Sequence, residues 1–300
     1  MAFSRVSNTL ARSKTARFLL HPMILLRRRL ARRGDVLRNR LVENLQRSLA
    51  EDPVVHLTEF QGTFVLDRRS HLFARVASEG AYEPELAAIC VARLDPNRDA
   101  IDVGANAGFY TNLMARQLRA GGRVLAIEPT PNALARLRSN IKRNGIDAQT
   151  LVFEGIASDR ECTRSLHTVV GKEEYSSVGS LAHPSIVNER SETRDVQSTT
   201  IDALVQRHGL DPGFIKIDVE GAEHEVLRGA EATLRTHRPI VLSELSARLL
   251  AHNGTSASDV IEYMQRLGYR VTDPLNPDGR LAVRDYGDML CVPVERDAPT

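Results

Sequence analysis

From residue 100 onward, short apolar runs alternate with segments whose apolar positions recur every three or four residues. The runs AIDV (100–103), RVLAIE (123–128), LVFEGIA (151–157), FIKI (214–217) and RPIVLSEL (238–245) have the length of buried strands. Between them the period is helical. Tyr110, Leu113, Met114 and Leu118 share one face of 108–119, with Gln117 as a polar intruder, and Leu134, Leu137 and Ile141 share a face of 131–144. Pro129 and Pro131 make a firm break before that second helix. TTIDALVQRHG (199–209) reads as a Thr-capped helix stopped by Gly209. After Gly221 the apolar face is Val226, Leu227, Ala230 and Leu234, and in 256–267 it is Val260, Ile261, Met264 and Leu267. YRVTD (269–273) and MLCVPV (289–294) read as closing strands around the turn-rich PLNPDGR. Strand and helix in alternation predict an α/β fold with a parallel, doubly wound sheet.

Two stretches fall outside this rhythm. VVHLTEFQGTFVL (54–66) predicts a hairpin around Gly62, and 70–94 a turn and a helix with Pro84 in its first turn. Residues 158–198 are rich in Ser, Gly and charge and show no helical period. So long a run inside a compact domain marks a functional insertion, facing either the substrate or a second subunit. The expected organisation is a basic arm (1–50), a hairpin and helical lead-in (51–99) and a catalytic domain (100–295) carrying the 158–198 insertion.

Charge changes the picture only at the N-terminus. The net charge of +2 gives no reason to expect nucleic acid as the main partner, but residues 1–40 hold eleven Lys or Arg against one acid, Asp35. FLLHPMILL (18–26) is followed by Arg27, Arg28, Arg29, Arg32 and Arg33. It is shorter than the roughly eighteen apolar residues of a membrane span, and basic residues stand where a signal-peptide cleavage site would be. The arm is either a solvated extension or a peripheral contact to an anionic membrane through residues 1–40, and the expected location is cytoplasmic. Cys90, Cys162 and Cys291 are widely separated and predict inert thiols rather than a disulfide framework or a zinc site.

Candidate chemistry gathers at the strand ends. In AIDVGANAGFYT (100–111) an apolar strand reaches Asp102 and enters the turn Gly104-Ala105-Asn106-Ala107-Gly108 before a helix. Gly104 permits a sharp turn and Gly108 a close backbone approach to a ligand. The order GxNxG differs from the dinucleotide fingerprint GxGxxG, which leaves a helix N-terminus open for a pyrophosphate. A nucleoside cofactor without a pyrophosphate, such as S-adenosylmethionine (SAM), suits it better; a nicotinamide oxidoreductase is the enzymatic rival. Glu128, twenty positions beyond Gly108, can accept hydrogen bonds from ribose hydroxyls.

Ligands of open α/β sheets bind beyond the carboxyl ends of the strands, so Asp102, Glu128, Asp218 and Glu244 are expected on one rim. Glu220 and Glu223 follow Asp218, where acids also serve only to complement a helix dipole. Glu83, beside Tyr82, either faces the cofactor or favours the start of the helix at Pro84. Asp218, Glu220 and His224 are the candidate general bases, His224 having an exposed helical position as its alternative. A second route has a divalent metal, Mg²⁺ or Ca²⁺ rather than zinc, held by Asp218 and Glu244; the metal-free route is preferred.

IDVGANAGFYT, AIEPTPNALARLRSNIKRNG, TTIDAL and IKIDVEGAEHEVLRGA, with the later PIVLSE, together resemble the FkbM-type family of SAM-dependent O-methyltransferases over about residues 80–245. The resemblance implies a class I methyltransferase (Rossmann-like) fold of seven strands, the last antiparallel, and methylation of a hydroxyl on a glycan or secondary metabolite. It also implies that Asp102, Gly104, Asn106 and Gly108 cradle the methionine end and that Glu128 holds the ribose; Glu83 and Asp218, from their positions in the chain, are further cofactor-binding candidates. The acid that class I enzymes usually place near the adenine falls at Ile156, so adenine contacts are apolar plus backbone, or come from Glu154 or Asp159. A scaffold that has lost turnover and works through its basic arm is the non-enzymatic rival, against which the intact turn, Glu128 and Asp218 argue.

Overall fold

The computed structural model describes residues 35–169, 191–276, 278–281 and 283–296, so most of the basic arm lies outside the described residues. The chain enters through α1 (Asp35–Ser48) and an antiparallel hairpin of β1 (Val54–Leu57) and β2 (Gly62–Val65). Two helices follow, α2 (His71–Glu79) and α3 (Pro84–Arg93), where the spacing predicts one; Gly80, at φ 76°, ends the first. Then come β3 (Asp99–Val103), α4 (Phe109–Gln117), β4 (Val124–Glu128), α5 (Pro131–Asn144) and β5 (Thr150–Glu154). After the insertion the rhythm resumes with α6 (Ile201–His208), β9 (Pro212–Ile217), α7 (Glu223–Arg228), α8 (Glu231–Thr236) and β10 (Ile240–Glu244). It closes with α9 (Ala247–His252), α10 (Ala257–Arg266), β11 (Tyr269–Thr272) and β12 (Asp288–Pro293). No helix among the described residues is long and apolar enough to cross a membrane.

Seven strands form one sheet in the order β11-β12-β10-β9-β3-β4-β5. All neighbours run parallel except β12, which is antiparallel to both β10 and β11. The central strands β3, β4 and β9 are buried at every position, as required where helices cover both faces. Because side chains alternate, Ile101, Val103, Leu125, Ile127, Ile215 and Ile217 pack into one core with α6, α7, α8 and α10. Ala100, Val124, Ala126, Phe214 and Leu242 face a second core with α2 to α5 and the hairpin. Carried two residues further, the same alternation puts Asp102, Glu128, Lys216, Asp218 and Glu244 on that second face, at the carboxyl ends of their strands.

The lead-in is fastened to this face by polar side chains as well as by packing. Asn140 and Asn144, one turn apart on α5, each bond both ways to the backbone of β2. Their Oδ1 atoms accept from Val65 N (2.8 Å) and Thr63 N (2.9 Å), and their Nδ2 atoms donate to Val65 O (3.2 Å) and Thr63 O (2.9 Å). The edge of β2 is thereby satisfied without a further strand. α1 also belongs to the packed body. Val42 and Leu45 are buried, and Arg68 donates to the carbonyls of Gln46 and Leu49.

The insertion is not irregular over its described part. β7 (Cys162–Val169) and β8 (Ser191–Thr199) pair antiparallel through eight residues, and β6 (Ile156–Ala157) joins β8 in parallel. Residues 170–190 lie outside the described set. Most of β8 is exposed on both faces, so it lacks the apolar alternation that signals a strand. The run 151–157 is two strands in two sheets, parting at Gly155, where a Cβ would lie 2.5 Å from Gln197 O. The helix predicted after Gly221 divides into α7 and α8 at Gly229, whose carbonyl accepts from Asp202 N (3.0 Å).

Candidate active site

A cavity of about 430 Å³ opens at the carboxyl ends of the parallel strands. Asp102, Gly104, Asn106, Glu128, Asp218, Glu220, Glu244 and Glu83 all line it, so the four strand-end acids converge as the sheet geometry requires. Gly108, Glu223 and His224 are not part of its wall.

The turn after β3 is held by its neighbours. Gly104 N and Ala105 N both donate to Ile127 O (3.0 Å each), and Asn106, at φ 47°, donates its backbone N–H to Glu128 Oε2 (2.9 Å). Gly104 stands at φ +82°, and a Cβ there would lie 1.9 Å from the carbonyl oxygen of Asp218. At Gly104 the approach that requires glycine is between the turns after β3 and β9. Gly108, at φ +84°, begins α4, and its absent Cβ makes room for Leu137.

Glu128 Oε1 accepts from Thr130 N (2.9 Å) and Thr130 Oγ1 (2.7 Å). Burial raises its pKa against these three bonds; two of them occupy Oε1, and Oε2, with one, keeps an acceptor site. Asp102 is buried at the centre of the sheet, accepts from Thr111 Oγ1 (2.5 Å), and is pushed up to about 6 by burial. Beyond β5 the wall is Gly155, Ile156, Ala157 and Leu166, the last contributed by the insertion hairpin. Glu154 pairs with Arg138, and Asp159 with Arg160 (2.9 Å) and Arg228 (2.5 Å); neither lines the cavity.

The lead-in supplies the opposite wall. Glu83 precedes α3 at φ 40°, ψ 51°, and its side chain makes no capping bond with it. Its carboxylate instead accepts from Tyr110 OH (3.1 Å) and Arg75 Nη1 (3.1 Å), so it faces the cavity rather than the helix end.

On the remaining side, Lys216 is 2% exposed and donates to Asp218 Oδ2 (3.2 Å) and Ile217 O (3.4 Å). Burial opposes its charge, yet Asp218, Glu83, Asp288 and Asp102 outweigh it and hold its pKa above the ordinary range. Sequence reasoning assigned no role to Lys216 or Asp288; the available signal was a lysine between Ile215 and Ile217 in a strand that is otherwise apolar. Asp288, at the start of β12, is pushed up to about 6 by burial. Glu244 is raised well above its usual range by burial and then by Asp218, Glu223 and Glu220. Its Oε2 is buried without a partner among the described residues. No three His, Cys, Asp or Glu side chains among the described residues are arranged to hold a metal ion.

Glu223 is buried behind this wall. Its Oε1 accepts from Gly221 N (3.0 Å) and Val219 N (3.2 Å), its Oε2 has no partner among the described residues, and burial raises its pKa to about 7. A carboxyl raised on folding contributes stability that is complete below its unfolded pKa and lost as pH rises through about 7. Glu223→Gln keeps the Oε1 acceptor and removes the buried charge. In thermal unfolding, the variant is expected to gain on wild type between pH 5 and pH 8; a difference independent of pH contradicts this. His224 lies elsewhere. Its Nδ1 is 2.9 Å from Thr255 Oγ1, burial lowers its pKa, and it borders a separate cavity with Arg228 and Asp259.

The family described as the methyltransferase FkbM domain matches residues 102–271. The chain is similar to the 2-O-methyltransferase NoeI of Sinorhizobium fredii, 26% identical over 202 residues that cover 63% of this chain and 80% of that protein. Among solved structures it is similar to a methyltransferase FkbM from Methylobacillus flagellatus (18% identity, TM-score 0.43, 67% of this chain) and spans 44% of the length of that protein. It is also similar to the O-methyltransferase TomG from Streptomyces achromogenes, solved in complex with SAM (14% identity, TM-score 0.42, 71% of this chain and 81% of that one). The matched segment runs through the turns after β3 and β9, the two that close on each other beneath the cavity, and takes in more than half of the sequence; the chain belongs to the FkbM family of SAM-dependent methyltransferases.

Proposed function

We propose that this methyltransferase methylates a hydroxyl oxygen, on a glycan or a secondary metabolite, with Glu244 as the proton acceptor. The observation that carries this reading is Glu244, which lines the cavity and whose buried Oε2 has no partner among the described residues. A buried acceptor left unsatisfied calls for a donor from outside, and an acceptor hydroxyl carries one. The 2-O-methyltransferase relative points to oxygen as well.

The residues present fit the cofactor. Glu128 would hold the ribose, Ile156, Ala157 and Leu166 the adenine, and the Gly104–Asn106 turn with Asp102 the amino-acid end. Bound there, SAM supplies a methyl group on an electrophilic sulfonium. The chain contributes position and proton handling. Glu244 follows Ser243, which pairs with Ile217, so Asp218 and Glu244 leave adjacent parallel strands side by side. Lys216 holds one oxygen of Asp218, leaving the other to orient the acceptor. Glu244, whose proton affinity is raised by its surroundings, takes the hydroxyl proton.

Calorimetric titration with SAM and S-adenosylhomocysteine tests the cofactor assignment. Glu128→Ala is expected to weaken both about 10- to 100-fold, the loss of hydrogen bonds to a charged group. Hydroxylated glycans and metabolites are then screened as acceptors, with Mg²⁺ and with EDTA. Methyl transferred to nitrogen or carbon sinks the hydroxyl assignment, and turnover lost in EDTA replaces Glu244 as base by a metal route through Asp218 and Glu244.

A further inference from the structure

We propose that Arg75 and Glu83 form one clamp for the zwitterionic amino-acid end of the cofactor, Arg75 binding its α-carboxylate and Glu83 its α-ammonium. The inference rests on the cavity taking SAM. Both residues precede the segment that the family matches, and both line the cavity.

Their arrangement is more than an ion pair between two helices. Glu83 is a non-glycine residue in left-handed backbone at the start of α3, where an acid would ordinarily bond the first helical amides. It does not do so. Its carboxylate is drawn to the opposite side, where Tyr110 OH fixes Oε2 and Arg75 Nη1 fixes Oε1. Tyr110 is the second residue of α4, the helix that leaves the Gly104–Gly108 turn, so Glu83 is registered directly against the turn assigned to the methionine end. Backbone held in such a sparsely populated region persists where its surroundings over-determine it, and binding sites are where this is found.

Arg75 is set up to receive a carboxylate. Its guanidinium stacks on the Tyr82 ring (4.7 Å), gives Nη1 to Glu83 and points Nε toward Glu79 (3.7 Å). Its Nη2 has no partner among the described residues, so a planar donor edge remains for a bidentate contact. Lys216 is the other cation of the wall, but it is buried, donates to Asp218 and Ile217 O, and is surrounded by acids. Arg75 is 37% exposed and is the cation a ligand can reach. A zwitterion laid against the pair exchanges partners charge for charge, so neither side chain is left uncompensated.

The test uses the full chain and three ligands in calorimetry. S-adenosylhomocysteine carries the whole zwitterion, decarboxylated SAM only the ammonium, and 5′-methylthioadenosine neither. Arg75→Met is expected to weaken S-adenosylhomocysteine about tenfold or more while leaving decarboxylated SAM and 5′-methylthioadenosine unchanged. Glu83→Gln is expected to weaken the first two and spare the third. Arg75→Lys, which keeps the charge without the planar fork, falls between wild type and Arg75→Met. If the Arg75 variants weaken all three ligands alike, or none, the pair is structural and the clamp is overturned. A well-folded wild-type protein that binds none of the three overturns the cofactor assignment itself, and the clamp with it.

Discussion

Glu244→Gln is expected to lower kcat about 10²- to 10⁴-fold, the usual worth of a positioned general base, with little change in affinity for S-adenosylhomocysteine. The amide has the shape of the carboxyl but cannot accept the acceptor's proton. Its introduction also removes one negative charge from beside Asp218, Glu220 and Glu223, so the folded protein should be no less stable. The pH profile separates a base from a residue that merely shapes the pocket. A base with a raised pKa is active only once deprotonated, so wild-type kcat rises with pH through that titration and the residual activity of the variant loses this limb. A variant with wild-type kcat, or one that keeps the limb, assigns the proton to another group, and Asp218→Asn is then the next substitution to make.

Gly104→Ala is expected to abolish cofactor binding and to destabilise the fold by more than about 4 kcal/mol, the range reserved for overpacking and backbone strain together. The added methyl would sit 1.9 Å from the Asp218 carbonyl oxygen, a backbone atom that cannot swing aside. Relief requires the turns after β3 and β9 to part, which breaks the bond from Asp218 N to Val103 O (3.0 Å) and moves Asp218 away from the cavity. Gly121→Ala is the control. Gly121 stands at φ +94° with nothing within 4 Å of its absent Cβ, so that variant bears only the left-handed strain of about 1–2 kcal/mol. Comparable melting temperatures for the two variants would mean that the clash is absorbed locally and that the turns are not locked together.

The catalytic class was legible because its signals are local. Asp102, Glu128, Asp218 and Glu244 each lie at or within one residue of a strand's end, and a parallel sheet brings all its strand ends to one side. The family match replaces the nicotinamide alternative in the same terms, since GxNxG is a property of five consecutive residues. The side-chain pattern also held within the sheet, where period-two alternation sorted the apolar positions into two cores.

What stayed hidden depended on partners distant in sequence. β8 is exposed along most of its length and earns its strand only by pairing with β7, so no periodicity announces it. His224 shares a turn with Glu220 and Glu223, but the phase of α7 directs it to Thr255 and away from the cavity. Whether Glu83 served a helix end or a ligand could not be read from its neighbours, because Tyr110 and Arg75, on other helices, decide where its carboxylate goes. The amino-acid sequence by itself determined the α/β rhythm, the rim of acids and the cofactor class, all consequences of strand period and turn composition within a few residues. Only the tertiary structure decided that the hairpin, α2 and α3 cover the face bearing those acids. That choice is made by contacts such as Asn140 to Val65, 75 residues apart, whose free energy exists only once the chain has closed on itself.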